Sequence, residues 1–460
     1  MFDVCITNTM PSLYKKFFEQ VPLNNITEFK ANNGVNIIQF MIPAVQGATL
    51  STQDLMFSGN LQVNTDGTTP YKSAEFGAGG ISLDSVLGMH GIIDRVDLIS
   101  ARGNTLLEQR LNYQLISKWQ RGVQAESNLE NGRFNSQQLC SSQVRGTRNF
   151  LGRGAFGDDG QDFAIQLNTG LMKDNGQVLN LGALGGLIVK IYMTEPVNGF
   201  FNINPAQASD TIGADFNYTL KNVKLFGRYN YMTPDVLNSL SGVQYRKVDN
   251  LLSVVQSSND TLTNMPQVSA LHKMMYVFQP NTETANNKDV NNTATNMLVG
   301  LKKYLLSMNG VRMPLDYDID INPQIQQLPG DSGEDERISG NAEQQYLSIS
   351  ALNDQFPPTH SLSNAKNQAQ ALSDQFTNTT ESTLNVDIIG MNYSFNFAGY
   401  TVAVPNDLMS INVESGVETN EANLPEGSGS SRNIRGQAQT QNLFIEYDSQ
   451  LNYANMMSAR

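Results

Sequence analysis

The chain has 460 residues, enough for two or three domains each with its own core. Its charged fraction of 16% is low, and Asn, Gln, Ser, Thr and Gly fill the gap, as on the solvent faces and long turns of an all-β protein. A net charge of −13 with no Lys/Arg stripe excludes a nucleic-acid clamp, and the two distant cysteines, Cys5 and Cys140, exclude a disulfide framework.

A reducing compartment is therefore expected, and no charged segment followed by an apolar core suggests a secretory signal. The most apolar stretch, residues 181–193, is short and carries Lys190, so no bilayer span is expected.

In chain order, residues 11–21 predict a short amphipathic helix. Leu13, Phe17 and Val21 fall at i, i+4 and i+8, with Tyr14 and Phe18 beside them and Lys15, Lys16, Glu19 and Gln20 elsewhere. Such a helix packs on its own domain or a neighbouring copy, or serves as an arm on a partner or a membrane surface. From Val35 the pattern turns to period two and short apolar runs. Residues 36–42 read as a strand buried on both faces, and Leu61 and Val63 alternate with Asn60, Gln62 and Asn64. Residues 85–89 suggest one helical turn.

The stretch VDLISARGNTLLE at 96–108 reads as a hairpin turning at Arg102, Gly103 and Asn104, because glycine adopts φ > 0 without a Cβ clash. A helix is expected over 110–120, with Leu111, Leu115, Ile116 and Trp119 on one side, followed by a polar excursion over 124–159. Phe163, Ile165 and Leu167 mark a strand, as do Leu187, Val189, Ile191 and Met193. Glu195 and Pro196 end the latter, since proline donates nothing to a ladder.

Residues 198–210 read as a linker, and 218–226 as a strand whose alternation slips near Asn222, as a β-bulge requires. Thr233, Pro234 and Asp235 start a helix with proline at its first position. Residues 273–278 form a strand, and Leu305 to Met313 repeat the first hairpin around Asn309 and Gly310. Residues 320–382 are an insertion, acidic over 331–336 and helix-favouring over 342–353 and 362–376. Strand character returns at Tyr393, Phe395 and Phe397, at 401–404, at Ile411 and Val413, and, after a flexible loop over 426–435, at Leu443, Ile445 and Tyr447.

Both halves thus show an opening strand, polar loops, a serine-glycine hairpin, a long excursion and a closing strand. The expected fold is all-β: two tandem eight-stranded jelly-roll β-sandwiches with long loops and a few short helices. The expected boundaries are 1–34 for an N-terminal arm with a short helix, 35–197 for the first jelly roll, 198–212 for a linker, and 213–460 for the second jelly roll, with its insertion at about 320–382.

Catalytic signatures are missing. His90, His272 and His360 are scattered, without Cys, His or carboxylate at ligand spacing. Gly152, Gly154 and Gly157 match the dinucleotide spacing but lead into Asp158 and Asp159, which repel phosphate. Asp316, Asp318, Asp320 and Asn322 start like a calcium loop, yet Ile321 and Gln327 occupy the positions of its turn glycine and bidentate acid. No catalytic, cofactor-binding or metal residues are assigned and no enzyme is expected; a sandwich-fold glycosidase would need two carboxylates about 5 to 9 Å apart.

Three motifs carry a resemblance: GIIDRVDLISARGNTLLE at 91–108 followed by Leu111, Asn112 and Tyr113; LKKYLLSMNGVRMP at 301–314; and Ser415, Gly416, Val417, Glu418 and Thr419 before the final strand. In order and spacing the chain resembles the double jelly-roll major capsid proteins of the lineage that contains adenovirus hexon, tectivirus-like tailless phages, virophages and Polinton-like viruses. The resemblance implies a structural, non-catalytic capsid protein without cofactors. Pseudo-hexagonal homotrimers would build an icosahedral capsid assembled inside the host cell. Implied partners are the chain itself, neighbouring trimers, penton and minor capsid proteins, and an internal membrane near the N-terminal arm, with no sequence-specific nucleic-acid binding. Residues 124–159 and 320–382 would lie on the outer face or clamp neighbouring subunits. The competing expectation is a tandem β-sandwich attachment protein that binds carbohydrate or a receptor.

Overall fold

The computed structural model describes residues 14–23, 26, 28–31, 37–64, 81–83, 87–122, 160–173, 178–195, 199–202, 216–256, 260–264, 271–280, 301–308, 311–313, 319–320, 393–400, 409–415 and 439–453. Among them the chain is mostly β-sheet with a few short helices.

The first twelve strands are β1 (Tyr14–Gln20), β2 (Glu28–Lys30), β3 (Ile37–Pro43), β4 (Ala48–Asn64), β5 (Ile81–Leu83), β6 (Ile93–Ser100), β7 (Thr105–Arg110), β8 (Gln161–Gln166), β9 (Val178–Asn180), β10 (Gly186–Met193), β11 (Phe200–Asn202) and β12 (Asn217–Tyr231). One sheet runs β1-β12-β4-β8, with β2 on β12 and β9 on β4; a second runs β3-β10-β6-β7; β5 and β11 form a separate ribbon. Alternation aims one face of each sheet inward. Ile38, Phe40 and Ile42 of β3 and Leu187, Val189 and Ile191 of β10 meet Leu50, Phe57, Leu61 and Val63 of β4 in one core. The Phe40 and Phe57 rings sit 6.1 Å apart across the two sheets, and Phe57 lies 5.3 Å from Phe163. Short helices fill the corners: a 3-10 turn at Gly88–Ile92, α1 (Tyr113–Gly122), α2 (Gly170–Lys173), α3 (Leu181–Leu184) and α4 (Pro234–Ser239).

The remaining strands are β13 (Gly242–Gln256), β14 (Asp260–Asn264), β15 (Leu271–Pro280), β16 (Leu301–Met308), β17 (Val311–Met313), β18 (Ile319–Asp320), β19 (Tyr393–Tyr400), β20 (Met409–Ser415) and β21 (Gln439–Asn452). One sheet runs β13-β21-β15-β19 and the other β14-β20-β16-β17, with the two-residue β18 beside β16. Setting β18 aside and counting the others from one to eight, the orders are 1-8-3-6 and 2-7-4-5. First pairs with last, second with next to last, and so inward to a central hairpin. That is an antiparallel ribbon rolled up on itself.

Several local expectations hold. The hairpin at 96–108 forms, turning through Gly103 at φ 67° and Asn104 at φ 52°. Its serine anchors the turn: Ser100 Oγ donates to the Leu184 carbonyl at 2.7 Å. In the second copy of the motif β16 also pairs antiparallel with β17. The bulge near Asn222 is present, with Asn222 at φ 51° and the β12–β4 register shifting between Lys221 and Lys224. The helix starts as expected, with Thr233 at the N-cap position, though without a side-chain capping bond, and proline in its first turn.

Other expectations are corrected. Residues 14–20 are a strand, not part of a helix: they run antiparallel along β12, whose ladder groups outweigh an isolated short amphipathic helix. Strand β3 buries one face only, its even positions. The expected linker over 198–212 contains β11. Strand β12, expected to open the second unit, lies in the first sheet between β1 and β4, so the two sets of sheets divide within residues 232–241. The hairpins are not equivalent either. Strand β6 pairs with β10, which also pairs with opening strand β3, whereas β16 pairs with β20 and not with the closing β21. A strand-glycine-strand sequence encodes a turn, not a place in a sheet. The stretches 124–159 and 401–404, and the helices expected over 342–353 and 362–376, lie outside the described residues.

Candidate subunit interface

Two opposite sides of the first pair of sheets differ in what covers them. On the β7 side lies the second unit of the same chain. Glu108 and Arg110 project inward from alternate positions of β7 and are fully enclosed, at 0% and 1% side-chain exposure. The Glu108 carboxylate accepts from Gly170 N at 2.7 Å, Leu171 N at 2.9 Å and Arg110 Nη2 at 3.0 Å. It thereby pins the start of α2, whose Gly170 lies so close to β13 that a Cβ would strike the Arg246 carbonyl oxygen. Tyr245 of β13 donates to the Leu107 carbonyl at 3.2 Å, and the Tyr453 hydroxyl accepts from Asn180 N at 3.0 Å. Leu115 and Ile116 of α1 pack with Val248 and Phe444.

The opposite side is formed by β1 and β3, the end strands of the two sheets. Strands β1 and β2 follow β12 in one direction, pairing with Leu225–Tyr231 and Thr219–Lys221 respectively. Between them the chain crosses to β3, where Leu23 N donates to the Gln39 carbonyl at 2.8 Å. Strand β1 is held by ring stacking: Tyr14 on Tyr231 at 4.1 Å and Phe18 on Tyr229 at 4.3 Å. Gly227 makes room for the Phe18 ring, which a Cβ there would hit. Burial pushes the Tyr229 hydroxyl up to about 12.

The outer face of this edge is unusual for a surface. Phe17 is 74% exposed with Phe226 exposed diagonally beside it, and Tyr14, Val21, Leu23 and Ile37 are exposed elsewhere along the edge. Ion pairs flank the apolar side chains, Lys224 with Glu19 at 2.7 Å and Arg228 with Asp54 at 2.8 Å. An apolar centre with a charged rim is the composition of a protein contact.

No family model matches the sequence, and no curated protein matches it either. Solved structures do match. The Faustovirus major capsid protein aligns with TM-score 0.53 at 8% identity, covering 98% of this chain and 92% of that one. A chain of the PBCV-1 virus capsid aligns with TM-score 0.51 at 10% identity, covering 98% and 97%. One from the Sputnik virophage aligns with TM-score 0.50 at 10% identity, covering 98% and 91%. The chain has the fold of a viral major capsid protein.

Within this capsid-protein fold the flagged residues serve structure or fall outside the described parts. His90 is buried in the 3-10 turn with Nδ1 2.8 Å from the Tyr113 hydroxyl, which accepts from Asn168 N at 2.8 Å. His272 lies in β15, and Asp320 pairs with Lys303 in the β18–β16 ladder. His360, the glycines at 152, 154 and 157, Asp316, Asp318, Asn322, Cys5 and Cys140 lie outside the described residues. Among the described residues no three His, Cys, Asp or Glu side chains cluster, and no helix is long and apolar enough to cross a membrane. Sequence reading missed Glu108, Arg110, Gly170 and Gly227. The signal available was Glu-Gln-Arg at 108–110, two opposite charges on one face of an expected strand.

Proposed function

We propose that the chain is a major capsid protein, structural and non-catalytic, that assembles as pseudo-hexagonal homotrimers into an icosahedral virus shell. The observation that carries this reading is the match over nearly the whole length of both chains to a PBCV-1 capsid chain and to the Faustovirus major capsid protein. Two jelly rolls in tandem, on residues 14–231 and 242–452, are part of this proposal. The 1-8-3-6 and 2-7-4-5 strand orders support that assignment for the second. A shell protein joins subunits edge to edge, and the exposed strand edges that endanger a monomer become contacts in an oligomer. Assembly within the host cell and contacts with penton and minor capsid proteins follow from that role, with the virion as its location.

Light scattering after size exclusion, combined with negative-stain imaging, tests the proposal. A stable trimer with a hexagonal outline is the expected result. A monomer that binds glycans would favour an attachment protein instead.

A further inference from the structure

We infer that the buried His90–Tyr113 pair is a proton-sensitive latch on the junction between the two units, closed while the imidazole is neutral and loosened when it takes up a proton. The pair lies inside the first unit. All five residues of the turn Gly88–Ile92 are buried, and Tyr113, at the start of α1, has no exposed surface. Their rings stack at 5.8 Å, with the Tyr113 hydroxyl 2.8 Å from His90 Nδ1. A third member settles which of the two gives the hydrogen. Asn168 N, which can only donate, reaches the Tyr113 oxygen at 2.8 Å. The phenol accepts there and has its own hydrogen to give to His90, so Nδ1 accepts and the ring proton sits on Nε2. A proton added at Nδ1 faces that hydroxyl hydrogen, forces the hydroxyl to turn away and encloses a charge.

The network leads to the junction. Asn168 opens the stretch that runs into α2: its side chain donates to Ser117 Oγ at 3.0 Å, and two residues on, Gly170 N and Leu171 N donate to the buried Glu108 carboxylate. Gly170 abuts the Arg246 carbonyl of β13, while Leu115 and Ile116, in the helix that Tyr113 starts, pack on Val248 and Phe444. Both elements that Tyr113 holds thus press on the second unit, and a shift of its hydroxyl moves the surfaces on which β13 and β21 rest.

The elements packed on the turn are α1, β5, β6 and β8. Helix α1 presents Tyr113. Strand β6 carries Asp94, whose ionisation burial raises, and Asp97, which Arg95 binds through two nitrogens. On β8, Asp162 accepts from Asn60 at 2.9 Å, and β5, Ile-Ser-Leu, has no titratable group. Opening the junction releases the imidazole, which then takes up a proton near the ordinary histidine value of about 6.5. The open form binds more protons than the closed one, so closure is complete above that pH and weakens as pH falls below it. One pH unit below, the opening equilibrium rises about tenfold. The latch belongs to the single chain and stands whether or not copies assemble.

Hydrogen exchange of the full chain tests the latch. Between pH 7.5 and pH 5.5, protection corrected for the intrinsic pH dependence should drop about tenfold in residues 168–172, 242–249 and 443–448. In His90→Asn, whose amide oxygen keeps an acceptor near the place of Nδ1 and never charges, the drop should shrink to less than about twofold. Asp94→Asn should retain it. Histidine labelled with 15N gives a second readout, because the chain has three histidines and the His272→Gln and His360→Gln variants assign the third. At pH 7.5, His90 should show a bare Nδ1 and a protonated Nε2. An undiminished drop in His90→Asn, no drop in the unmodified chain, loss of the drop in Asp94→Asn, or a hydrogen on Nδ1 at pH 7.5 overturns the inference. If His90→Asn fails to fold, the titration of the unmodified chain decides. Proton uptake by His90 in step with the lost protection supports the latch, and uptake without lost protection overturns it.

Discussion

Three donors converge on the Glu108 carboxylate, and the enclosed Arg110 guanidinium has no other ion-pair partner among the described residues. Truncating one member of such a pair strands the other charge in a low dielectric, so Glu108→Ala should cost about 3–5 kcal/mol in urea unfolding. Gly170→Ala places a methyl group against the Arg246 carbonyl and should loosen the junction by about 1–3 kcal/mol. Tyr229 gives a pH test. Its hydroxyl is buried without a hydrogen-bond partner among the described residues, and burial raises its ionisation from 10.0 to about 12. An unfolded tyrosine ionises near 10, so this group's contribution to stability is complete below that pH and is lost as pH rises from 10 through 12. Tyr229→Phe should leave stability at pH 7 within about 1 kcal/mol, or improve it, and should flatten the alkaline fall seen in urea titrations above pH 10. The fall will not vanish, because burial also raises Tyr218, Tyr447 and Tyr453.

At the scale of elements, the N-terminal strand shows where periodicity misleads. Leu13, Phe17 and Val21 keep helical spacing, yet Phe17 is the most exposed large apolar side chain among the described residues and Phe18 is the one packed inward. What decides the conformation is the edge of β12, together with the gap at Gly227 that receives the Phe18 ring. Gly227→Val should expel that ring and release β1, and limited proteolysis should then cut within residues 21–27 while the rest of the first unit stays resistant. The bulge at Asn222, by contrast, was readable from the slip in alternation alone. Its αL backbone suits asparagine, so Asn222→Val should cost about 1–2 kcal/mol of stability by the same urea assay.

At the scale of the whole molecule, the two units meet through buried hydrogen bonds and a shared core. If a proton on His90 loosens that junction, the melting temperature of the whole chain should fall between pH 7.5 and pH 5.5, and His90→Asn should reduce that fall. Scanning calorimetry across a pH series reads both effects.

The sequence alone determined where many of the described strands lie, where the first hairpin turns, where β12 bulges and that the described residues are mostly β, because alternation, glycine turns and proline stops act between residues close along the chain. The resemblance to capsid proteins was legible in the same way, from short motifs in a fixed order. Only the tertiary structure decided which strands pair. It moved β12 into the first sheet, made a strand of Tyr14–Gln20, set the two hairpins in different positions, and buried Glu108 beside Arg110. Ladder hydrogen bonds are satisfied by any strand of suitable pattern, so the choice among partners rests on contacts between residues far apart in sequence, such as Phe18 with Gly227 and Gly170 with Arg246.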